Sequence, residues 1–206
     1  MLITISRQFM TGGSDVAVLV AEALGWTVID RAFIDAVAER SGYSTEDVEA
    51  LEESVPTFME RFAQSSALSL PEFLISAPRA LEGPAAATLA HVTRGVVEEL
   101  ADREKVVIVG RAADAVLARE RDAIHVRLVA SREWRVQQTM QRMGLDEEQA
   151  GITVDEHDLN RERYHREFFG RDWNDPVNYH LVLNTELLGF EGAADLIVAR
   201  ARALGW

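Results

Sequence analysis

Five short apolar runs, separated by stretches of helical periodicity, constrain the fold of this 206-residue chain more than any other feature. The run at 106–109 is apolar at every position, which is typical of a strand buried on both faces. Strands that alternate with helices predict an α/β fold, with a parallel sheet covered on both sides and joined by right-handed crossovers. The predicted strands are 2–5, 26–29, 106–109, 124–129 and 181–183.

Helical patterns occupy the segments between these runs. Gly25 and Gly42 follow the first two patterns, as residues that end a helix do. A helix is also expected to begin at Ser44 or Thr45, and Ser131 caps another. Apart from the helix expected at Ser44 or Thr45, the predicted helices are 14–24, 31–40, 88–100, 112–119, 131–143, 155–169 and 192–204.

The segment 43–103 is predicted to be a helical insert in a core made of 1–42 and 104–206. Prolines at 56, 71, 78 and 84 divide it into short pieces, and none of them has a convincing strand pattern. Within it, 54–86 is compatible with a mobile flap and with packed helices.

The first strand leads into a loop that ends in two glycines, and a helix follows. This order aims backbone N–H groups and a helix N-terminus at phosphate. The P-loop consensus G-x-x-x-x-G-K-[ST] is nevertheless not matched, because its first glycine falls on Arg7 and its lysine on Gly13. The loop therefore predicts a phosphate site whose mechanism must account for the absent lysine.

Polar residues follow each predicted strand, at the sheet edge where open α/β sheets bind ligands. Arginine is frequent there, and its planar fork suits phosphate. Arg111 after Gly110 is the strongest of these candidates, whereas Arg31 and Arg132 are also typical of an exposed helix start. The residues at these exits are Ser6-Arg7, Asp30-Arg31, Gly110-Arg111 with Asp114, Ala130-Ser131-Arg132 and Asn184-Thr185.

A second group of arginines lies in the segment 160–176. It is compatible with a solvated helix balanced by acidic neighbours, and equally with a lid (about 153–175) that closes over a polyphosphate. Trp173 is a weaker candidate for a ligand contact, and the histidines show no metal spacing. The four arginines are Arg161, Arg163, Arg166 and Arg171.

Composition narrows the choice of partners. The net charge of −13 argues against a surface that grips nucleic acid polymers or anionic membranes, although a local arginine cluster still suits a small anionic ligand. The chain has no cysteine and no apolar run of membrane-spanning length. We therefore expect a cytoplasmic protein that binds small molecules and not membranes, and a homodimer is left open.

Three segments together resemble the cytidylate kinase-like family, a branch of the P-loop nucleoside-monophosphate kinases. The segment ITISRQFMTGGSDVA is similar to that branch's I-S-R-x-x-G-S-G-G opening, in which the lysine is commonly absent. The segment VVIVGRAADAVL is similar to V-I-V-G-R-x-A-D, and GRDWNDPVNYHLVLNTELLG to G-R-D-W-x-D-P-x-x-Y-D-L-V-L-N-T-x-x-L-G. The resemblance covers most of the chain and is poorest between about 44 and 90.

This resemblance implies a P-loop NTPase-type three-layer fold with an NMP-binding insert and a lid. The implied reaction transfers the γ-phosphoryl group of ATP to a nucleoside monophosphate such as CMP or dCMP, with Mg²⁺ bound at Ser14. The implied ATP-binding residues are Thr11, Gly12, Gly13 and Ser14, and the implied acceptor residues are Asp30, Arg31, Arg111, Asp114, Arg171 and His180. The residues expected to be catalytic are arginines that would supply the charge of the missing lysine: Arg111, Arg161, Arg163 and Arg171 at positions that match the family, and Arg7 by hypothesis.

The chain departs from the family pattern in two places. Arg7, Phe9 and Met10 occupy loop positions where P-loops usually keep small residues, and His180 stands where the family usually has aspartate. Two alternatives therefore stay open beside the nucleotide kinase: a nucleotide-binding regulatory module without strong catalysis, and a kinase for a non-nucleotide acceptor.

Overall fold

A parallel sheet organises the chain in the computed structural model, which describes residues 1–29, 31–42, 45, 84–120 and 122–206. Within these residues the sheet has five strands in the order β2-β3-β1-β4-β5, so the N-terminal strand is central. The predicted α/β class and parallel sheet are confirmed. The strands are β1 (Leu2–Arg7), β2 (Thr27–Ile29), β3 (Val106–Val109), β4 (Ala123–Val129) and β5 (Leu181–Asn184).

Seven α-helices and a short 3₁₀ turn at Pro176–Asn178 accompany the strands in the described residues. No helix in this part of the chain is both long enough and apolar enough to cross a membrane. Of the predicted insert 43–103, the structure describes Thr45 and residues 84–103. The helix expected to begin at Ser44 or Thr45 therefore lies outside the described residues, apart from Thr45 itself. The helices are α1 (Gly13–Leu24), α2 (Arg31–Ser41), α3 (Pro84–Ala101), α4 (Ala113–Val116), α5 (Arg132–Met143), α6 (Glu147–Phe169) and α7 (Thr185–Ala203).

The predicted starts of α6 and α7 are wrong. Helix α6 begins at Glu147 and not at 155, because the side chain of Asp146 accepts the backbone N–H of Gln149 and caps the helix there. Helix α7 begins directly after β5 and not at 192, because Asn184 caps it. A kink at Gly189 (φ 68°, ψ 171°) then interrupts the helical pattern. Helix α4 is also shorter than the predicted 112–119.

The two faces of the central strand have different surroundings. Ile3 and Ile5 are fully buried in a cluster with residues of α1 and α7, such as Val16 and Ile197. Leu2 belongs to a second cluster, on the other face, with residues of α2, α3, α4 and α6. The alternation along β1 therefore places a helical layer on each side of the sheet.

Polar side chains fill part of the second face. Thr4 and Ser6 of β1 and Arg127 of β4 are each at most 3% exposed. Trp173 contacts two of them: its Nε1–H donates to Ser6 Oγ at 2.8 Å, and the Arg127 guanidinium lies 3.8 Å from the centre of its ring. Trp173 is itself only 2% exposed, so in this structure it is a packing residue and not a surface available to a ligand.

His125 is a neutral member of this polar layer. Its Nε2 lies 3.2 Å from the carbonyl oxygen of Leu117, which can only accept, so Nε2 carries the proton and Nδ1 accepts from the Thr4 hydroxyl at 2.8 Å. Burial lowers the pKa of His125 to about 4, and the nearby His180 also lowers it, while Asp114 opposes them. The imidazole therefore stays uncharged in the folded protein at neutral pH.

We expect His125 to make the fold sensitive to mild acid. In the unfolded chain its pKa is near 6.5, so between about pH 6.5 and 4 the unfolded chain takes up a proton that the native protein does not. The contribution of neutral His125 to the free energy of unfolding is therefore fully present above pH 6.5. It falls as the pH is lowered, by up to about 3 kcal/mol near pH 4. Urea unfolding at a series of pH values measures this loss.

The variant His125→Gln should flatten that pH dependence, since glutamine does not titrate. His91→Gln removes an exposed histidine and is the matched control, which we expect to keep the full pH dependence. Equal pH dependence in the wild type and in His125→Gln would contradict the assignment.

Candidate functional site

The loop from Arg7 to Gly13, here called the phosphate loop, joins β1 to α1. Hydrogen bonds within the loop, and others to the C-terminal end of β4, hold it in place. The Gln8 backbone N–H donates to the Leu128 carbonyl at 3.0 Å. The Gln8 side-chain oxygen accepts the backbone N–H of Ala130 at 3.1 Å. The buried Thr11 hydroxyl donates to the Gln8 carbonyl at 2.8 Å. Thr11 therefore supports the loop from inside, at a position predicted to bind ATP.

One turn of α6 holds the phosphate loop from the other side. The backbone N–H of Phe9 donates to Asp158 Oδ1 at 2.8 Å, and Arg161 Nη1 donates to the Arg7 carbonyl at 3.2 Å. The Phe9 ring is stacked on His157, with ring centres 4.0 Å apart and planes 4° from parallel. Arg161 is only 4% exposed, so in this structure it is an anchor for the loop and not a swinging lid residue.

Asp158 is part of a largely buried ion pair. Its Oδ2 accepts from Arg135 Nη1 at 2.6 Å, and the side chains are 17% and 6% exposed. The same Arg135 nitrogen lies 3.5 Å from the Phe9 carbonyl. The pair thus binds both polar groups of the Phe9 backbone and joins the loop to α5 and α6. Neither Asp158 nor Arg135 was predicted from the sequence.

Two glycines of the loop are in close contact with other side chains. Gly12 has φ 74°, and a Cβ there would lie 2.4 Å from Cε1 of Phe190, just beyond the kink in α7. A Cβ on Gly13 would lie 3.0 Å from Cγ and Cδ of Arg7. The hydrocarbon stem of Arg7 therefore runs beside the position at which a P-loop would carry its lysine.

The phosphate loop borders a depression of about 330 Å³ that combines loop backbone with positive charge. Three arginines and one aspartate supply its charges, so this site is locally positive in an acidic chain. Helix α1 begins beside it and adds its positive dipole end. The lining residues are Arg7, Gln8, Phe9, Met10, Thr11, Gly12, Gly13, Ser14, Asp15, Arg142 and Arg161.

Arg142 and Asp15 are members of this depression that sequence reasoning missed. Arg142 Nη1 lies 3.9 Å from Asp15 Oδ2, and the two side chains are 50% and 52% exposed. Exposed pairs of this kind contribute about 0–1 kcal/mol to stability. An arginine in the last turn of a helix is so ordinary that no sequence signal marks Arg142.

Asp114 and Arg171 form a second group of predicted residues. Arg171 Nη1 donates to the Asp114 carbonyl at 2.7 Å, and its Nε donates to Asn178 Oδ1 at 2.9 Å. Burial raises the pKa of the Asp114 carboxyl, but the hydrogen bond with His165 and the positive charges near it outweigh this and lower the pKa below its usual range. The structure brings these two predicted residues together, although neither lines the depression.

The remaining predicted residues are dispersed. Arg111 follows β3 in a left-handed conformation (φ 59°), and Arg163 lies on α6; neither borders the depression. His180 precedes β5, where its ring stacks on His125 and its Nδ1 accepts the His125 backbone N–H at 2.8 Å. His180 is therefore not gathered with the phosphate loop. Asp30 and the side chain of Arg31 lie outside the described residues.

The sheet, the glycine loop that enters α1 and the helices on both faces define a P-loop NTPase-type kinase fold. The chain matches the cytidylate kinase-like family over residues 2–187 and belongs to that family, as the three sequence segments indicated. No curated relative matches the chain by sequence.

Solved structures share this fold at low sequence identity. An uncharacterized protein from Eubacterium ventriosum ATCC 27560 is 20% identical over 98% of both chains, with a TM-score of 0.65. A shikimate kinase from Acinetobacter baumannii, in complex with shikimate, is 15% identical over 98% of this chain and 93% of its own, with a TM-score of 0.52. A gluconokinase from Sinorhizobium meliloti 1021 is 16% identical over 98% and 95%, with a TM-score of 0.51. At these identities the likeness extends to the fold alone.

We expect Gly12→Ala to destabilise the protein more than its backbone angle alone explains. A left-handed alanine costs about 1 kcal/mol, and the contact with Phe190 adds about 1–3 kcal/mol of overpacking. Gly144→Ala is the matched control, because Gly144 has φ 69° and nothing within 4 Å of its Cβ position. Urea unfolding of both variants gives the difference.

Phe190→Leu in the Gly12→Ala background should recover part of the loss, since a smaller side chain relieves the contact. Equal destabilisation by Gly12→Ala and Gly144→Ala would show that the Phe190 ring does not press on the loop.

Asp158→Asn should be strongly destabilising, by about 3 kcal/mol or more, because it leaves the buried Arg135 guanidinium without its carboxylate. Asp155→Asn breaks the Arg132–Asp155 pair one turn away, whose side chains are 50% and 58% exposed, so we expect a loss of about 0–1 kcal/mol. Unfolding free energies compare the two, and similar losses would mean that the Arg135–Asp158 pair does not hold the loop.

Proposed function

We propose that this protein is an ATP-dependent phosphotransferase that moves the γ-phosphoryl group of ATP to a nucleoside monophosphate, with CMP or dCMP as the best candidates. The observation that carries the proposal is the position of Arg7. Its stem runs across Gly13, so its guanidinium starts from the region that the P-loop lysine would occupy, in a depression made of loop backbone. Membership of the cytidylate kinase-like family supports the reaction class.

Phosphoryl transfer requires the protein mainly to position the reactants and to neutralise their charge. Phosphoryl transfer depends on alignment of the donor and on neutralisation of the oxygens around the transferred group. In the proposal, Gly12, Gly13 and Ser14 cradle the donor phosphates at the start of α1, the buried Thr11 supports the loop, and Arg7 supplies the positive charge. Arg161 keeps the loop in shape by its bond to the Arg7 carbonyl, and Arg111 and Arg163 act on the acceptor side and from the lid.

The residues at the start of α1 fit the Mg²⁺ that such a reaction uses. Ser14 offers a hydroxyl and Asp15 a half-exposed carboxylate beside the loop. Mg²⁺ is usually held by one or two carboxylates together with substrate phosphates and water, so this oxygen pair suits it. The ion supplies further neutralisation of phosphate charge when it is bound.

The acceptor site is the part that the proposal carries over from the family resemblance. Asp114, Arg171 and Arg111 stand at the matching positions, and Asp30 and Arg31 precede them in the chain. His180 takes the place of an aspartate and bonds to His125, so contact of His180 with the acceptor would require it to leave that bond. A non-nucleotide acceptor is the corresponding alternative.

A nucleotide-binding regulatory module is the second candidate, and the contacts of the loop favour it. The Phe9 backbone N–H is already bound to Asp158, and the Phe190 ring packs on Gly12. A loop held in this way has fewer backbone N–H groups that can donate to the phosphoryl oxygens in a transition state, although it can still bind a nucleotide. Turnover separates the two functions.

The test is turnover with ATP·Mg²⁺ across CMP, dCMP, UMP, AMP and GMP. We expect Arg7→Gln to lower kcat/KM by about 10²–10³, the usual cost of one lost charge-stabilising group, and Arg7→Lys to keep part of the activity. Arg200→Gln is the control, because Arg200 is an exposed arginine in the last turn of α7 and does not border the depression.

Arg7 is a cleaner choice than Arg171, whose bonds to Asn178 and Asp114 hold the fold. Tight ATP binding without turnover of any acceptor would overturn the kinase and favour the regulatory module. Turnover that Arg7→Gln does not change would remove Arg7 from the mechanism.

A further inference from the structure

We propose that Arg142 is a phosphate-binding residue of the depression, and that Asp15 holds it at the rim until an anionic ligand replaces the carboxylate. The proposal rests on the phosphate site of the proposed function and adds a residue from α5 to it. Neither the family resemblance nor the sequence pattern assigns a role to Arg142.

The first argument is position. Arg142 is in the last turn of α5, yet it lines the same depression as Gly12 and Gly13. It therefore reaches the phosphate loop from a different element than Arg7, which is the last residue of β1. An anion seated on the loop would have cationic side chains on two sides.

The second argument is the nature of its present contact. The 3.9 Å between Arg142 Nη1 and Asp15 Oδ2 is a charge contact that is too long for a hydrogen bond. Both side chains are half exposed, so water competes for each of them. A phosphate group carries more charge than one carboxylate and accepts two parallel bonds from a guanidinium, and it should displace Asp15.

The third argument is that the backbone of α5 is fixed while the side chain is exposed. Arg135 of the same helix is buried in its pair with Asp158, and the Ser131 side chain caps the helix start. Side-chain rotation alone is therefore enough to move the Arg142 guanidinium from Asp15 toward a ligand, and exposed side chains change rotamer within nanoseconds.

An exposed ion pair that only links α1 to α5 is the competing explanation, and a double-mutant cycle separates the two. The probe is inorganic tripolyphosphate in metal-free buffer, titrated by calorimetry into the full-length protein. The variants are Arg142→Ala, Arg142→Lys, Asp15→Asn and the double variant Arg142→Ala/Asp15→Asn. Arg200→Ala is the control, because Arg200 is an exposed arginine in the last turn of α7, as Arg142 is in the last turn of α5, and does not border the depression.

We expect Arg142→Ala to weaken tripolyphosphate binding about tenfold, Arg142→Lys to weaken it less, and Arg200→Ala to leave it unchanged. Asp15→Asn should tighten binding, because it removes a competitor for Arg142 and a negative charge near the ligand. In the Arg142→Ala background there is no Arg142 to release, so Asp15→Asn removes only the negative charge near the ligand. The gain in affinity from Asp15→Asn should therefore be smaller there. Thermal unfolding of each variant checks that the fold is kept.

Wild-type affinity in Arg142→Ala, or an equal gain from Asp15→Asn in both backgrounds, would overturn the inference. Absence of tripolyphosphate binding to the wild type would overturn it as well. Because the readout is binding and not turnover, a protein that binds tripolyphosphate through Arg142 but transfers no phosphoryl group would refute the kinase proposal and leave this one standing.

Discussion

The hydrogen bond from the Phe9 backbone N–H to Asp158 ties the phosphate loop to α6, and much of the site depends on it. Arg135 neutralises the carboxylate and extends the tie to α5. Because a buried ion pair is costly to separate, the loop, α5 and α6 behave as one unit in this structure. The loop is therefore shaped before any ligand arrives, and it is fixed to the first turn of α5 at Arg135 and to the middle of α6 at Asp158.

The fold was predictable where local patterns determine it. Each predicted strand is present. A run that is apolar at every position, such as 106–109, is buried on both faces only as a strand between two helical layers. The starts of α6 and α7 could not be predicted in this way, because short capping side chains determine where these helices begin. Asp146 and Asn184 are common surface residues whose role appears only when their oxygens meet backbone N–H groups.

The site was predictable only in its loop. Arg7 and Gly13 follow from the strand–loop–helix order, and their contact is consistent with a loop that replaces lysine by arginine. Arg142 and Phe190 were missed because nothing local links a residue to a loop that lies far from it in sequence. Arg161 was noticed for its charge, but its burial under the loop depends on how α6 crosses the sheet.

The contact between Phe190 and Gly12 has a consequence for the order of folding. The loop belongs to the first strand of the chain, yet one of its walls comes from the segment after the last strand. The central strand also pairs with β3 and β4, and both are distant in sequence. Non-local pairing of this kind is slow to form. During synthesis, then, β1 emerges before the strands that pair with it, and the phosphate loop stays incomplete until the segment around Phe190 has been made.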